Sequence, residues 1–354
     1  MILINSSPKN ALKIFQPFLP VFVPVGVGAL LAVAEREGIP ADYVDEQIEE
    51  RMLERIAELV KKRDKPYFFG FSVLTASVQS AIDLSKKLRE IYPGSFIVFG
   101  GIHPSALPEE MLSFGHIDAV LTGECETTLM ELYRRVMAGK DWREVENCWY
   151  LDAGKITHSK LKVILEDVDK APAFPYHRFT HPRYDIGFVV SSRGCPYRCS
   201  FCSNRVTTGR TYRFRSSELI AEDLEMLQKK YGCSYVIFLD DNFMVNKDRL
   251  YKLIDGIRRR GLEKKMVFSF QARGDNTEEG LMRDLFDADS RAFSSAWSRR
   301  PRRSWTRSTR TRPSARSTPQ SACRRKSGST SARPTSTDSP AIRTRSGWTA
   351  WICP

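Results

Sequence analysis

The sequence predicts an α/β protein of two domains followed by a dissimilar tail, and three observations carry that expectation. Short apolar runs alternate with amphipathic helical stretches up to Ala288. Some of these runs, such as YFFGFSVL at 67–74, are apolar without alternation, the pattern of a parallel strand covered on both faces. Beyond Ala288 the apolar periodicity stops, and Ser, Thr, Arg and Pro take over. A chain of 354 residues is long enough for two domains of ordinary size. The boundaries fall at 1–160 for a first α/β domain, 161–186 for a linker, 187–288 for a second α/β segment and 289–354 for the tail.

In the first domain ILIN (2–5) reads as a strand and VGVGALLAVAEREG (25–38) as a helix stopped by Gly38. ADYVDE (41–46) is a strand, and EERMLERIAELVKKR a helix with apolar residues at helical spacing. The strand at 67–74 leads into the helix SVQSAIDLSKKLREIYPG, which Gly94 ends, and then into the strand FIVFGG (96–101). IDAVLTGE (117–124) is a strand and TTLMELYRRVMAG a helix. This is a doubly wound order, whose ligand belongs at the carboxyl ends of the strands. WYLDAGKITHS (149–159) reads as a hairpin turning at Ala153-Gly154, and the proline- and aromatic-rich stretch at 165–185 as a connector.

The second segment repeats strand and helix three times. Its strands are IGFVVSSRG, SYVIFLDDNF and MVFSFQARGD, and its helices SSELIAEDLEMLQKKYG, NKDRLYKLIDGIRRRG and TEEGLMRDLFDA. Three such units resemble the first half of a β/α barrel.

The net charge of +13 resides in the tail. Residues 289–354 hold 14 Arg and Lys326 against Asp289 and Asp338, so the rest of the chain carries 40 basic and 40 acidic side chains. Two readings of the tail stand side by side. One is a disordered basic arm. The other is translation out of frame from near Ala288. Within codon degeneracy, the shifted frame can encode Gly-Phe-Ala-Arg-Phe-Leu-Leu-Gly-Leu-Glu-Ser, a strand and turn that continue smoothly from LMRDLFDA. A nucleic-acid-binding function rests on the tail alone, since the body lacks a basic stripe with interleaved aromatics. No signal segment opens the chain, and the apolar run Val21 to Ala34 is too short to span a bilayer, so a cytoplasmic protein away from the membrane is expected.

The eight cysteines are too few for a disulfide scaffold. Three of them, Cys195, Cys199 and Cys202, fall in GCPYRCSFC just after the first strand of the second segment. Zinc usually takes four protein ligands in two pairs, and no second pair lies close by. An iron–sulfur cluster uses thiolates, and three of them leave one iron without a protein ligand.

The spacing C-x3-C-x-aromatic-C after a first strand resembles the signature of the radical S-adenosylmethionine (SAM) enzymes, over residues 187–288. The resemblance implies that Cys195, Cys199 and Cys202 hold a [4Fe-4S] cluster, that Phe201 lies near the adenine of SAM, and that the open iron chelates the amino and carboxylate groups of SAM. The reduced cluster of that family, fed by an external donor such as a flavodoxin or ferredoxin, cleaves SAM to methionine and a 5′-deoxyadenosyl radical. Asp240, Asp241 and Asn242 close the second strand, where exposed carboxylates would accept hydrogen bonds from SAM or a substrate. The other reading there is a helix-capping loop before Asn246. Arg273, at the end of the third strand, pairs with a ligand carboxylate or with Asp275.

GVGALL in the first domain is a partial dinucleotide fingerprint, with Leu31 at the third glycine position and Asp45 downstream. The domain more closely resembles the cobalamin-binding domains that precede radical SAM cores. The matching pieces carry Ser72 and Thr75, Gly100, Gly101 and His103, and Gly123 and Glu124, and the resemblance implies contact with cobalamin. The Asp-x-His-x-x-Gly motif that supplies a histidine to cobalt elsewhere is absent, and His103 reads as a loop residue. Together the two resemblances imply a cobalamin-dependent methyltransferase acting on an unactivated carbon of a small molecule. The alternatives are a cyclase or rearrangement enzyme, or a tRNA methylthiotransferase, which would need further cluster cysteines where only Cys125 and Cys148 occur. If the tail is out of frame, this chain is expected to show weak or no activity.

Overall fold

A computed structural model describes residues 1–8, 21–161, 165, 167–208, 211–276 and 278–288, and the backbone of 290–296. The first domain runs β1 (Ile2–Asn5), β2 (Val21–Phe22), α1 (Val25–Arg36), β3 (Asp42–Asp45), α2 (Met52–Val60), β4 (Phe68–Ser72), α3 (Val78–Ile91) and β5 (Phe96–Gly100). It continues with α4 (Ile102–Ala106), α5 (Pro108–Ser113), β6 (Ala119–Leu121), α6 (Glu126–Met137), β7 (Cys148–Asp152) and β8 (Lys155–His158). All of these strands except β2 make one sheet in the order β3-β1-β4-β5-β6-β7-β8, parallel as far as β6. That is the doubly wound topology the alternation predicts.

Side chains alternate across the sheet as the pleat requires. Leu3, Phe68 and Val98 face α1 and α6, while Ile2, Ile4, Phe69, Phe71, Ile97 and Phe99 face α2, α3 and α5. Both sets are buried, which is why these strands read as unbroken apolar runs. The β7–β8 hairpin turns at Ala153 and Gly154, both with positive φ, at the place expected. The helices α4 and α5 were not legible: IHPSALPEEML is short and broken by two prolines.

The connector carries β9 (Tyr184–Asp185), parallel to β2, and Tyr176 donates to the carbonyl of Phe188 at 2.6 Å. The second domain follows with β10 (Phe188–Val189), β11 (Ser192–Arg193), α7 (Asn204–Thr207), β12 (Arg213–Phe214), α8 (Ser217–Tyr231) and β13 (Tyr235–Phe238). It ends with α9 (Lys247–Arg259), β14 (Val267–Arg273), α10 (Glu279–Asp287) and β15 (Ser290–Ala296). Strands β10-β13-β14-β15 pair in parallel and in chain order, the start of a β/α barrel. The backbone of β15 extends the sheet past Ala288, where the sequence reading begins the tail; the rest of the tail lies outside the described residues.

One core runs from α1 through the connector into the second domain. Of the two glycines of GVGALL, Gly28 has a packing reason. A Cβ on Gly28 would stand 2.2 Å from the Phe174 ring of the connector, so this glycine admits a neighbouring aromatic rather than a pyrophosphate. Among the described residues no helix is long and apolar enough to cross a membrane.

Candidate functional site

The cysteine loop is the link between two short antiparallel strands. Ser192 pairs with Phe214 and Arg193 with Arg213, so β11 and β12 hold both ends of the loop at the carboxyl end of β10. The loop opens on Gly194, whose φ is +79° and whose Cβ, were there one, would meet the Thr211 carbonyl at 2.2 Å. Only glycine combines that backbone angle with that contact.

Cys195 and Cys199 are half-buried and Cys202 is exposed, and all three are free thiols. Burial pushes the Cys195 thiol up, against the amide of Tyr197, which favours the thiolate. The Cys202 amide donates to the Cys199 carbonyl at 3.2 Å, so the last two cysteines share a turn. Phe201 is 80% exposed and packs in no core, which leaves its ring face open to a ligand. Among the described residues no three Cys, His, Asp or Glu side chains stand together as a ready metal cage. The donor set nevertheless suits an iron–sulfur cluster: three free soft thiols on one loop.

Of the two readings made of Arg273, the pair with Asp275 is the one seen. Arg273 forms a two-point pair with Asp275 at 3.0 and 2.6 Å, lies 4.2 Å from the Tyr197 ring centroid, and places Nη1 2.7 Å from Cys199 Sγ. Its guanidinium therefore belongs to the cysteine loop as well as to Asp275.

The expectation of exposed carboxylates after β13 needs correction for Asp240. Its side chain is fully buried. Oδ1 accepts from the amides of Ser191 and Ser192 at 2.8 and 2.9 Å, Oδ2 accepts from the Ser191 hydroxyl, and Arg249 Nη2 stands 3.5 Å away. Arg249 in turn donates to the carbonyl and hydroxyl of Ser191 at 2.8 and 2.9 Å. Asp240 thus pins the backbone that leads into the cysteine loop. The signal was in the strand: Val236 and Phe238 point inward, and Asp240 continues that period of two. Asn242 is buried too, and its Oδ1 accepts from the Met244 amide at 3.2 Å, as the capping reading has it. Asp241 is the outward carboxylate. It accepts from Asn204 Nδ2 at 2.6 Å, and desolvation by the surrounding chain pushes its pKa up.

In the first domain a cavity of about 200 Å³ lies between α1 and the carboxyl ends of β4, β5 and β6. Of the residues singled out there, Ser72, Gly100, Gly101, Gly123 and Glu124 line it. Small side chains and bare backbone on its wall suit part of a broad, flat ligand. Thr75 and His103 lie elsewhere: His103 is buried, with Nδ1 3.2 Å from the Thr75 hydroxyl.

Glu124 also needs correction as a free ligand contact. Both its oxygens are taken by Arg213, at 2.7 and 2.8 Å, and Oε2 also accepts from the Leu165 amide at 3.0 Å. Arg193 stands 3.6 Å from Glu124 and 2.5 Å from Glu126. Burial works against the charge of Arg193, and Glu126 and Glu124 outweigh it, so its pKa rises. Sequence reasoning missed Arg193, Arg213 and Arg249, because an arginine reads as solvent-facing until a buried carboxylate from a distant stretch of chain is placed beside it.

Comparison with known proteins matches each half separately. The B12 binding domain family matches residues 16–133, and the radical SAM superfamily matches residues 189–294. The chain is a B12-binding-domain radical SAM protein. It is 32% identical over 246 residues to an uncharacterized methyltransferase, PH0819, of Pyrococcus horikoshii, spanning 68% of this chain and 53% of that one. It is 26% identical over 242 residues to an anaerobic magnesium-protoporphyrin IX monomethyl ester cyclase of Cereibacter sphaeroides, spanning 66% of this chain and 38% of that one. The chain therefore spans about half or less of the length of these relatives. The fold is shared with the radical SAM methyltransferase TsrM from Kitasatospora setae, solved with cobalamin and a [4Fe-4S] cluster, at a TM-score of 0.68 and 15% identity over 83% of this chain and 58% of that one.

Proposed function

We propose that this chain provides the cofactor-binding part of a cobalamin-dependent radical SAM methyltransferase that modifies an unactivated carbon of a small molecule. The observation that carries the proposal is the placement of three free thiols at the carboxyl end of β10, on a loop tied at its base to the domain whose strand ends form the glycine-walled cavity. The likeness to a methyltransferase over two thirds of the chain supports it.

Cys195, Cys199 and Cys202 would hold the cluster, and the wall of Ser72, Gly100, Gly101 and Gly123 would hold the corrin. When bound, the cluster supplies the electron that breaks a carbon–sulfur bond of SAM, and cobalamin supplies the methyl group. The protein's own part is positional. Asp240 and Arg249 fix the entry to the loop, Gly194 turns it, and Phe201 offers a stacking face beside it. Arg273 sets a positive charge against Cys199. Asp241 presents the outward carboxylate at the end of β13. An external one-electron donor such as a flavodoxin or ferredoxin completes the system.

Anaerobic reconstitution with iron and sulfide tests the proposal. The expected result is about four irons per chain, lost when Cys195, Cys199 and Cys202 are replaced together by alanine. Hydroxocobalamin should bind with a visible spectral change, and reduction with SAM should release 5′-deoxyadenosine from a frame-corrected chain, with little or none from this one. A reconstituted protein with no iron, or one whose iron survives the triple replacement, would refute the cluster assignment. The likeness to cyclases favours a second reading, ring closure without methyl transfer. Methyl-labelled SAM separates the two, since only a methyltransferase leaves the label in the product.

A further inference from the structure

Four charged side chains join the two domains at the cysteine loop. Glu124 and Arg213 are each less than one tenth exposed, and Glu126 and Arg193 are little more open. The two arginines are partners in the β11–β12 pair, one immediately before the loop and one shortly after it. The two glutamates follow β6, and both line the glycine-walled cavity. They also line a second cavity, of about 270 Å³, at the junction with the other domain, where Arg193 joins them. Arg213 further donates to the Leu165 carbonyl at 2.7 Å, so the connector enters the same cluster. On the other side of the loop, α7 lies against α4, which follows directly from the cavity residue Gly101.

Buried ion pairs contribute little net stability, because desolvation offsets their attraction; their best-attested role is to fix register. Here the register fixed is that of both loop ends against the wall of the cavity.

We propose that Glu124–Arg213 and Glu126–Arg193 are a positioning clamp that couples filling of the B12-domain cavity to the set of the cysteine loop. A ligand pressing on the cavity wall bears on the two glutamates, and the glutamates hold the base of the loop. By linkage, the set of the loop alters the affinity of the cavity to the same degree. The inference rests on the cobalamin reading of that cavity.

The full-length protein, free of iron, is the material for the test, with E124Q, R213Q and E126Q/R193Q as variants. The last pair is less buried and spares the fold if the first two do not fold. Two measurements are made. In the absence of any cofactor, hydrogen exchange of residues 194–208 should quicken by about fivefold or more in the variants, the lower end of ordinary coupling strengths. Exchange of β5 should stay within about twofold of the parent. On addition of hydroxocobalamin, the alkylation rates of Cys195, Cys199 and Cys202 should change by about fivefold in the parent and by less than about twofold in the variants. Unchanged loop exchange in the variants overturns the clamp, whether or not cobalamin binds. Binding of hydroxocobalamin with no change in thiol reactivity, or with the same change in the variants, also overturns it. Failure of hydroxocobalamin to bind the parent refutes the cobalamin reading and with it the coupling.

Discussion

Asp240→Asn is the sharpest perturbation of the loop's support. The asparagine keeps an oxygen where Oδ1 accepts from the Ser191 and Ser192 amides, at 2.8 and 2.9 Å, so those two bonds survive. What is lost is the bond from the Ser191 hydroxyl to Oδ2, where an amide nitrogen now stands, and the charge opposite Arg249, whose side chain is 2% exposed and whose Nη2 stands 3.5 Å from Oδ2. Removing one partner of a buried pair typically costs 3–5 kcal/mol; the bonds from Arg249 to Ser191 soften that, so about 3 kcal/mol is expected. The Arg249→Met variant alone should cost a similar amount, by leaving the carboxylate unpaired. The double variant should recover about 2 kcal/mol of the summed loss, because it removes both charges together and leaves neither one buried and unpaired. Native-state hydrogen exchange suits a protein of two domains, where one unfolding midpoint has no single meaning. Amides of β10 and β13 should exchange roughly a hundredfold faster in Asp240→Asn, the equivalent of 3 kcal/mol. Exchange within threefold of the parent, or strict additivity in the double variant, would refute the reasoning.

Gly194→Ala should cost more than about 2 kcal/mol, since an L-residue at positive φ is strained and the new Cβ meets the Thr211 carbonyl; reconstitution should then yield less iron per chain, and undiminished iron would count against the turn. Burial pushes the Cys148 thiol up to about 12, so with a maleimide near neutral pH Cys202 should label first and Cys148 only on unfolding, as mapped by peptide mass spectrometry; early labelling of Cys148 would contradict its burial. Tyr176→Phe removes the hydroxyl that donates to the Phe188 carbonyl at 2.6 Å and should cost about 1–2 kcal/mol, read as faster exchange in β10; no change would show that the connector does not depend on that bond.

The sequence by itself determined the α/β class and most of the elements. Unbroken apolar runs and helical spacing found the parallel strands and long helices of both domains, because burial on both faces of a strand, or on one face of a helix, imposes those patterns locally. The three cysteines stand out by their spacing alone, because they sit on one continuous loop. What the tertiary structure decided depends on which side chains meet across distant stretches of chain. Asp240 and Asp241 are identical in composition; in the segment that follows β13 the first is turned into the core and the second outward. Glu124 stands beside glycines expected to meet a ligand, and its carboxylate goes instead to Arg213, 89 residues away. Gly28 looked like part of a phosphate loop until the connector brought Phe174 against it. A charged or small residue is silent in a linear pattern, because both solvent and a buried partner satisfy it. Only packing the two domains together removes the water and leaves the partner.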